Sequence, residues 1–221
     1  VVAEEVDAGI PIATPAAVLL QAATEDTDIP VIFSAVSNPV EDGLVADAQK
    51  PGANVTGTSD GIDTEAIFEM MLLQNPDMKK VGLLYDQGQS SSLVSIKDAE
   101  KFCKAKNIEV VKKTGTNVSE VQTAADALVA AKVDAIFTPQ DNTVMTAELA
   151  IYEKFTDAKI PHYTGADSFA LNGAFMGYGV NYPGAVIPRS VPGIIYALHK
   201  HAGVPHALIE WHGHNDFYKA V

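Results

Sequence analysis

Short polar segments follow most of the predicted strands, and their side chains are hydroxyls, amides and isolated acids. Hydroxyls, amides and the free N–H groups of helix N-termini hold a carboxylate without catalysing a reaction. An isolated aspartate at such a position, as at Asp141 or Asp167, can hold an ammonium group. These residue types together predict contacts to a small amino-acid headgroup. The candidate contact residues are Thr14, Ser34, Ser37, Ser90, Ser91, Asp141, Asn142 and Asp167.

Several of these candidates also have a purely structural interpretation. Asp141 and Asn142 are compatible with capping a helix, because Asp and Asn are good N-caps, and the same holds for Asp167. The segment 88–92 is either a helix N-terminus that faces a ligand or a solvated loop. It lacks the Gly-Lys-Ser/Thr ending of a phosphate-binding loop, which argues against nucleotide binding.

Metal and catalytic chemistry have weaker support. On a strand, the spacing of His212 and His214 places both imidazoles on one face, but a useful zinc or manganese site needs further ligands. Surface histidines without a metal are therefore the favoured interpretation. Cys103 is the only cysteine, which excludes an intramolecular disulfide and a cysteine-based zinc site and predicts a buried thiol. No catalytic-triad order and no paired carboxylates are apparent, so neither an enzyme nor a cofactor is predicted.

Strands and helices alternate along the chain, which predicts parallel βαβ units and a doubly wound sheet of the flavodoxin-like type. In such sheets ligands lie at the carboxyl ends of the strands, where the polar segments fall. Capping residues are predicted at Thr14, Ser119 and Asn107. The predicted strands are 10–13, 31–36, 55–58, 81–85, 109–113, 135–138, 161–164, 174–180 and 207–211, and the predicted helices begin at 14, 64, 93, 119, 144 and 187.

The composition and net charge of the chain argue against some classes of binding partner. The 221 residues, 47% of them hydrophobic, are enough for one large α/β domain or two small lobes. A net charge of −13, from 15 basic and 28 acidic residues, disfavours nucleic acid and anionic membrane surfaces. No apolar run reaches the roughly 18 residues that span a bilayer. The first residues lack the basic region of a signal peptide, so they do not set the compartment.

Five ordered motifs carry a family resemblance across about residues 2–182. The chain resembles the substrate-binding proteins of ABC importers of the tryptophan/tyrosine type. This resemblance implies two Rossmann-like lobes that close on a small solute, often an aromatic amino acid. It also implies delivery to a membrane permease and a periplasmic or extracellular lipoprotein setting. The motifs are Ile-Ala-Thr-Pro-Ala-Ala (12–17), Ile-Phe-Ser-Ala-Val-Ser-Asn-Pro (32–39), Lys-Pro-Gly-Ala-Asn-Val-Thr-Gly (50–57), Val-Gly-Leu-Leu-Tyr (81–85) and Thr-Pro-Gln-Asp-Asn-Thr (138–143).

The expected arrangement is a truncated first lobe over residues 1–74 and a complete second lobe over 75–221, because the first βα units of the family are absent. Unpaired sheet edges would then favour a homo-oligomer or a domain swap. If both lobes are used, Thr14, Ser34 and Ser37 contact the ligand from the first lobe, and the remaining candidates contact it from the second.

The C-terminal segment differs from the rest of the chain. Residues 186–221 hold the only Trp, the only Arg and five of the six His. The segment 183–221 resembles the His-x-His region of the homocitrate/Re-citrate synthase group of TIM barrels, in which that pair binds a divalent metal. Two alternatives to solute binding follow. One is an engineered or recombined fold chimera without ligand function, and the other is a fragment of a metal-dependent acyl-transfer enzyme, which lacks a third metal ligand here.

Overall fold

The structure is a computed structural model that describes residues 6–180, and these residues form two compact units divided after Gly61. The helices are α1 (Thr14–Thr24), α2 (Thr64–Gln74), α3 (Ser90–Ala105), α4 (Val118–Ala130), α5 (Asn142–Asp157) and α6 (Asp167–Leu171). The strands are β1 (Val31–Val36), β2 (Val55–Ser59), β3 (Lys80–Tyr85), β4 (Glu109–Thr114), β5 (Ala135–Thr138), β6 (His162–Thr164) and β7 (Met176–Gly177).

The second unit is built on a five-stranded sheet in the order β4-β3-β5-β6-β7, and every strand pair is parallel. Successive side chains of a strand point to opposite faces. Leu83 and Phe137 accordingly join one buried cluster with α2 and α3, whereas Leu84 and Ile136 join another with α4 and α5. Both faces of the sheet are covered, which explains the continuous apolar runs of β3 and β5. The predicted α/β class with a doubly wound parallel sheet is confirmed.

The described part of the first unit is smaller. The strands β1 and β2 pair in parallel, beginning with Val31 opposite Val55. Gly9 and Ile12 form isolated parallel bridges to β1, so the predicted first strand is present as single bridges rather than a continuous ladder. The core of this unit includes Ala17 of α1 and Phe33 of β1.

Helix α2 packs with the second unit, whereas the sequence pattern places it at the end of the first lobe. Phe68 lies 5.5 Å from the ring of Phe102 and 5.1 Å from that of Phe137, between ring centroids. Ile67 and Met71 are fully buried in the same cluster. The compact unit therefore begins near Ile62, because the apolar face of α2 needs the sheet of the second unit as its partner.

Two predicted caps are wrong. Ala13, with a φ of 68°, is the N-cap of α1, and Thr14 is its first helical residue. Asn117 caps α4 by accepting a hydrogen bond from the N–H of Glu120 at 3.0 Å, so Ser119 lies inside the helix. In the two helices the N-cap lies one and two residues earlier, respectively, than the sequence pattern indicates. The left-handed Asn107 after α3 is confirmed, with a φ of 57°.

Other boundaries differ around the second unit. Helix α3 begins at Ser90, within the segment predicted as a polar loop, and α6 was not predicted. The predicted strand 174–180 is reduced to the two residues of β7. The predicted helix 187–201 and strand 207–211 lie outside the described residues. Among residues 6–180, no helix is both long and apolar enough to cross a membrane.

A buried histidine–carboxylate pair joins β6 to α5. His162 Nδ1 lies 3.1 Å from Glu148 Oε1, and His162 Nε2 lies 2.8 Å from Thr138 Oγ1. His162 is 2% exposed and Glu148 is 0% exposed, and the second carboxyl oxygen of Glu148 has no hydrogen-bond partner among residues 6–180. The His162 ring is in edge-on contact with the rings of Phe155 and Phe169. Because solvent does not reach the side chains of His162 and Glu148, removing either one leaves the other buried without this hydrogen-bond partner.

Candidate functional site

The polar segments after β3 and β5 meet in space because these strands are neighbours. Val81, Gly82 and Leu83 of β3 pair with Ala135, Ile136 and Phe137 of β5. From β3 the chain passes through α3 to β4 on one side, and β5 lies on the other side. The two loops therefore diverge at the carboxyl ends of the strands, and this switch point is where doubly wound sheets bind ligands.

Asp141 is the centre of a hydrogen-bonded network at this switch point. Its Oδ2 accepts from the Asp86 N–H at 2.7 Å and from Ser92 Oγ at 2.7 Å. Its Oδ1 accepts from the Val144 N–H at 2.9 Å and from Gln89 Nε2 at 3.1 Å. Asp141 is 2% exposed, so the carboxyl group caps α5 and also fixes the start of the loop after β3.

The electrostatics of Asp141 reflect its burial. Loss of solvent raises the pKa of this carboxyl above the ordinary value of 3.8 and outweighs the lowering by its hydrogen-bond donors. The nearby Asp86 carboxylate raises this pKa further. Asp141 is thus a buried acceptor whose two oxygens are already used by four donors of the protein. The capping interpretation of this residue is realised in the structure, and contact with a ligand stays a prediction.

Gln89 connects the two loops, and it is not among the candidate residues that the sequence indicates. Its Oε1 accepts from the N–H and from Nδ2 of Asn142, each at 3.2 Å. Its Nε2 donates to Thr143 Oγ1 at 2.8 Å, and Thr143 Oγ1 donates to Asp86 Oδ2 at 2.7 Å. Gln89 is 53 positions from Asn142 and 54 from Thr143 in the chain, so no local pattern links them.

Ser90 and Ser91 are the first two residues of α3 rather than loop residues. The residue before them, Gln89, is the N-cap, and its side chain makes no capping hydrogen bond because it is used in the network. Ser91 is buried and donates through Oγ to the carbonyl of Gln140 at 3.4 Å, whereas Ser90 is exposed. The first N–H groups of a helix lack intrahelical partners and favour an anion. Within residues 6–180, no side chain caps the start of α3, and the backbone N–H groups of Ser90 and Ser91 are the donors that an anion could use.

Asp167 lies apart from this network. It begins the short helix α6, directly after the turn that follows β6, and its side chain is exposed. Its carboxylate is open to solvent, unlike that of Asp141. The structure places Asp167 at the carboxyl end of the sheet but gives it no hydrogen bond to the residues around Asp141.

The three candidates of the first unit lie on or next to β1: Ser34 is a residue of the strand, Ser37 follows its end, and Thr14 begins α1 beside it. Thr14 is buried at the start of α1, and the preceding Ala13 N–H donates to the Ser34 carbonyl at 2.9 Å. Ser37 is buried after β1, and its Oγ donates to Asp60 Oδ1 at 3.1 Å. Thr14 and Ser34 are thus neighbours through the backbone of Ala13, and ligand contact by all three candidates stays a prediction.

The metal prediction concerns residues that the structure does not describe. His212 and His214 lie outside residues 6–180. Within those described residues, no group of three or more His, Cys, Asp or Glu side chains is placed to hold a metal ion.

Two kinds of curated protein match the sequence. Over 171 residues the chain is 34% identical to a tyrosine-binding protein from Clostridioides difficile, and the match covers 77% of this chain and 49% of the relative. The chain thus spans about half the length of that relative. A 46-residue segment is 59% identical to citrate (Re)-synthases from Syntrophus aciditrophicus and Clostridium kluyveri, covering 21% of this chain and 7% and 10% of those proteins. The resemblance to Re-citrate synthases is confirmed, and it is consistent with a chimera.

Solved structures and a family model agree with the first match. A conserved domain protein from Vibrio cholerae has a TM-score of 0.73 at 33% identity, covering 78% of this chain and 57% of that one. An ABC domain from Streptococcus pneumoniae in complex with L-Trp has a TM-score of 0.73 at 31% identity, with coverage of 78% and 58%. The model of the family described as "ABC transporter substrate binding protein" matches residues 1–185. The matched residues are most of the chain, and the chain belongs to the family of ABC transporter substrate-binding proteins.

Proposed function

We propose that the chain is the solute-binding component of an ABC importer and that its second unit binds the carboxylate of an amino acid at the N-terminus of α3. The observation that carries this proposal is that, in the described part of the chain, no side chain caps α3. The other helices of ten or more residues in this unit are capped by their own side chains, which are Asp63 for α2, Asn117 for α4 and Asp141 for α5. An external carboxylate at α3 would take the place of the missing cap.

The network around Asp141 supports this assignment by holding α3 in place. Ser92, in the first turn of α3, donates to Asp141, and Gln89 at the N-cap donates to the same carboxyl group. The helix start is thereby fixed to α5 and β3, so its free N–H groups have a defined direction. Such preorganisation lowers the entropic cost of binding a small ligand.

The two aspartates predicted to hold the ammonium group differ in how accessible their carboxylates are. Both oxygens of Asp141 already accept hydrogen bonds from four donors, whereas the carboxylate of Asp167 is exposed. Asp167 is therefore the better ammonium partner of the two. Thr14, Ser34 and Ser37 remain the predicted contacts from the first unit, and Asn142 with its exposed side chain remains one from the second.

Aromatic amino acids are the first ligands to test. One relative is a tyrosine-binding protein, and one similar structure is a complex with L-Trp. No step of bond making or breaking is part of this function, so we propose a binding protein rather than an enzyme. Delivery to an ABC permease and a periplasmic or extracellular location belong to the same proposal, as does association into a homo-oligomer.

The test compares each amino acid with its carboxamide. Isothermal titration with L-Trp, L-Tyr and L-Phe should show binding, and tryptophanamide should bind at least about tenfold more weakly because it lacks the charged acceptor. The variant Ser90→Pro removes one N–H at the first helical position, where proline is tolerated. The matched control is Val118→Pro at the first position of α4, and each preceding residue, Gln89 or Asn117, is already extended.

The outcomes separate the proposals. Weaker binding in Ser90→Pro with unchanged binding in Val118→Pro supports the α3 site, whereas equal affinity for L-Trp and its amide contradicts it. A cooperatively folded chain that binds no amino acid supports the alternative of a fold chimera without ligand function, which the 46-residue match to citrate (Re)-synthases favours. A thermal shift with Zn²⁺ or Mn²⁺ would instead support the acyl-transfer fragment.

A further inference from the structure

A pocket of about 500 Å³ opens in the second unit at the amino end of β6. Its walls come from the ends of α2 and α5, from the first residues of β6 and from the turn between α6 and β7. The network around Asp141 follows the carboxyl ends of β3 and β5, so the pocket lies at the opposite end of the parallel sheet. This inference does not depend on the proposed function.

Aromatic rings form much of the pocket wall. Tyr163 and Phe175 are in edge-on contact, with ring centroids 5.4 Å apart, and Phe175 is 60% exposed. The hydroxyl of Tyr163 donates to Gln74 Oε1 at 2.7 Å, which fixes the ring. Tyr152 lies against Gly173, whose φ of 112° and lack of a Cβ leave room for the tyrosine ring. Pockets of this size with aromatic walls and a few polar groups are typical of small-molecule sites.

Lys159 is the charged residue among those that line the pocket. Its backbone is left-handed, with a φ of 57°, and is held by hydrogen bonds from its own N–H to the Thr156 carbonyl and from the Ile160 N–H to the Phe155 carbonyl. Within residues 6–180, its ammonium group forms no ion pair, whereas Lys80, Lys112 and Lys154 each do. The pocket thus combines aromatic walls with one cation that has no carboxylate partner in the described part of the chain.

We propose that this pocket binds small aromatic carboxylates, with the ring against Phe175 and Tyr152 and the carboxylate at Lys159 Nζ. The aromatic walls select a flat ring through edge and face contacts. The lysine selects a negative group, which is attracted locally even though the whole chain carries a net charge of −13. The site differs in place and in lining from the α3 N-terminus.

Phenylacetate and its neutral analogue phenylacetamide are the probes. Titrated into the full ¹⁵N-labelled chain, phenylacetate should shift the amide signals of Tyr152, Lys159 and Gly173 and leave those of Ser90 and Asn142 unchanged. Phenylacetamide should bind about two- to fivefold more weakly, which is the range of a surface ion pair. Shifts centred on Ser90 and Asn142, or no shift at millimolar probe, would overturn the proposal.

The chain offers a closely matched control for the lysine. Lys132 follows α4 as Lys159 follows α5, with a φ of 53° and the same hydrogen bond from its N–H to the carbonyl three residues earlier. Lys132 does not line the pocket. Lys159→Gln should remove the preference for phenylacetate over phenylacetamide, Lys132→Gln should retain it, and Phe175→Ala should weaken both probes. Equal effects of the two lysine substitutions would contradict a carboxylate at Lys159.

Discussion

Replacing Asp141 with alanine should destabilise the second unit far more than removing an ordinary helix cap. The substitution deletes the acceptor for the Val144 N–H, which alone costs about 1 kcal/mol. It also leaves the Asp86 N–H and the Ser92 hydroxyl without their acceptor in a buried site, at about 1–3 kcal/mol for each unsatisfied group. Relief of burying a charge offsets part of this cost. The expected net loss is about 2–4 kcal/mol.

Asp63→Ala is the matched control. Asp63 caps α2 through one hydrogen bond from the Ala66 N–H at 3.0 Å, and its side chain is exposed. Its removal should cost about 1 kcal/mol. Urea unfolding followed by far-UV circular dichroism measures both losses, provided that the slope with denaturant is unchanged.

The difference in stability loss between Asp141→Ala and Asp63→Ala tests the contribution of the buried network. Equal losses for Asp141→Ala and Asp63→Ala would show that the buried network adds nothing beyond a cap. If Asp141→Ala does not fold, Asp141→Asn is the variant to measure. The side-chain oxygen of Asn can still accept from the Val144 N–H. Its amide group offers only a donor or the same single oxygen to the Asp86 N–H and to Ser92, which lose a full acceptor. The loss for Asp141→Asn should fall between those of the other two variants, and a loss at or below that of Asp63→Ala would refute the reasoning.

Three further results are expected. The carboxyl group of Asp141 should titrate above pH 3.8 when followed by NMR at its carboxyl carbon. Because the folded state favours the protonated carboxyl, this protonation contributes stability that is fully present below pH 3.8 and is lost as pH rises through the raised pKa. Titration below pH 3.8 would contradict this. His162→Ala should cost about 3–5 kcal/mol in urea unfolding because it leaves Glu148 buried without its partner, whereas the joint change His162→Phe with Glu148→Leu should cost less, and equal costs would argue against a coupled pair. Burial raises the pKa of Cys103 to about 12, so a thiol reagent at pH 8 should label it only after unfolding; rapid labelling of the native chain would contradict its burial.

Elements with a strong local pattern were predictable from the sequence. The helix Thr64–Gln74 has the predicted bounds because an amphipathic run is closed by Asn75 and Pro76. The strand Val31–Val36 also matches, since a short apolar run is buried on both faces. The start of α3 was missed because three consecutive serines favour a loop locally. Tertiary hydrogen bonds, such as that from Ser92 to Asp141, hold them in the helix instead.

The candidate site was predictable in its position but only partly in its members. Parallel strands bring their carboxyl ends to one edge, so Asp141 and Asn142 were located at the correct end of the sheet. Gln89 was not found, because an amide in a loop has no distinctive spacing. Its importance comes from bonds to residues more than fifty positions away.

The sequence by itself determined the α/β class, the parallel order of strands and helices and the edge of the sheet where polar groups collect. These features follow from the periods of apolar residues and from turn residues, which act over short distances. Only the tertiary structure decided that Asp141 is a saturated buried cap and that the start of α3 has no side-chain cap of its own. The same is true of the pocket beside Lys159, because each feature depends on which distant segments fill the space around one side chain.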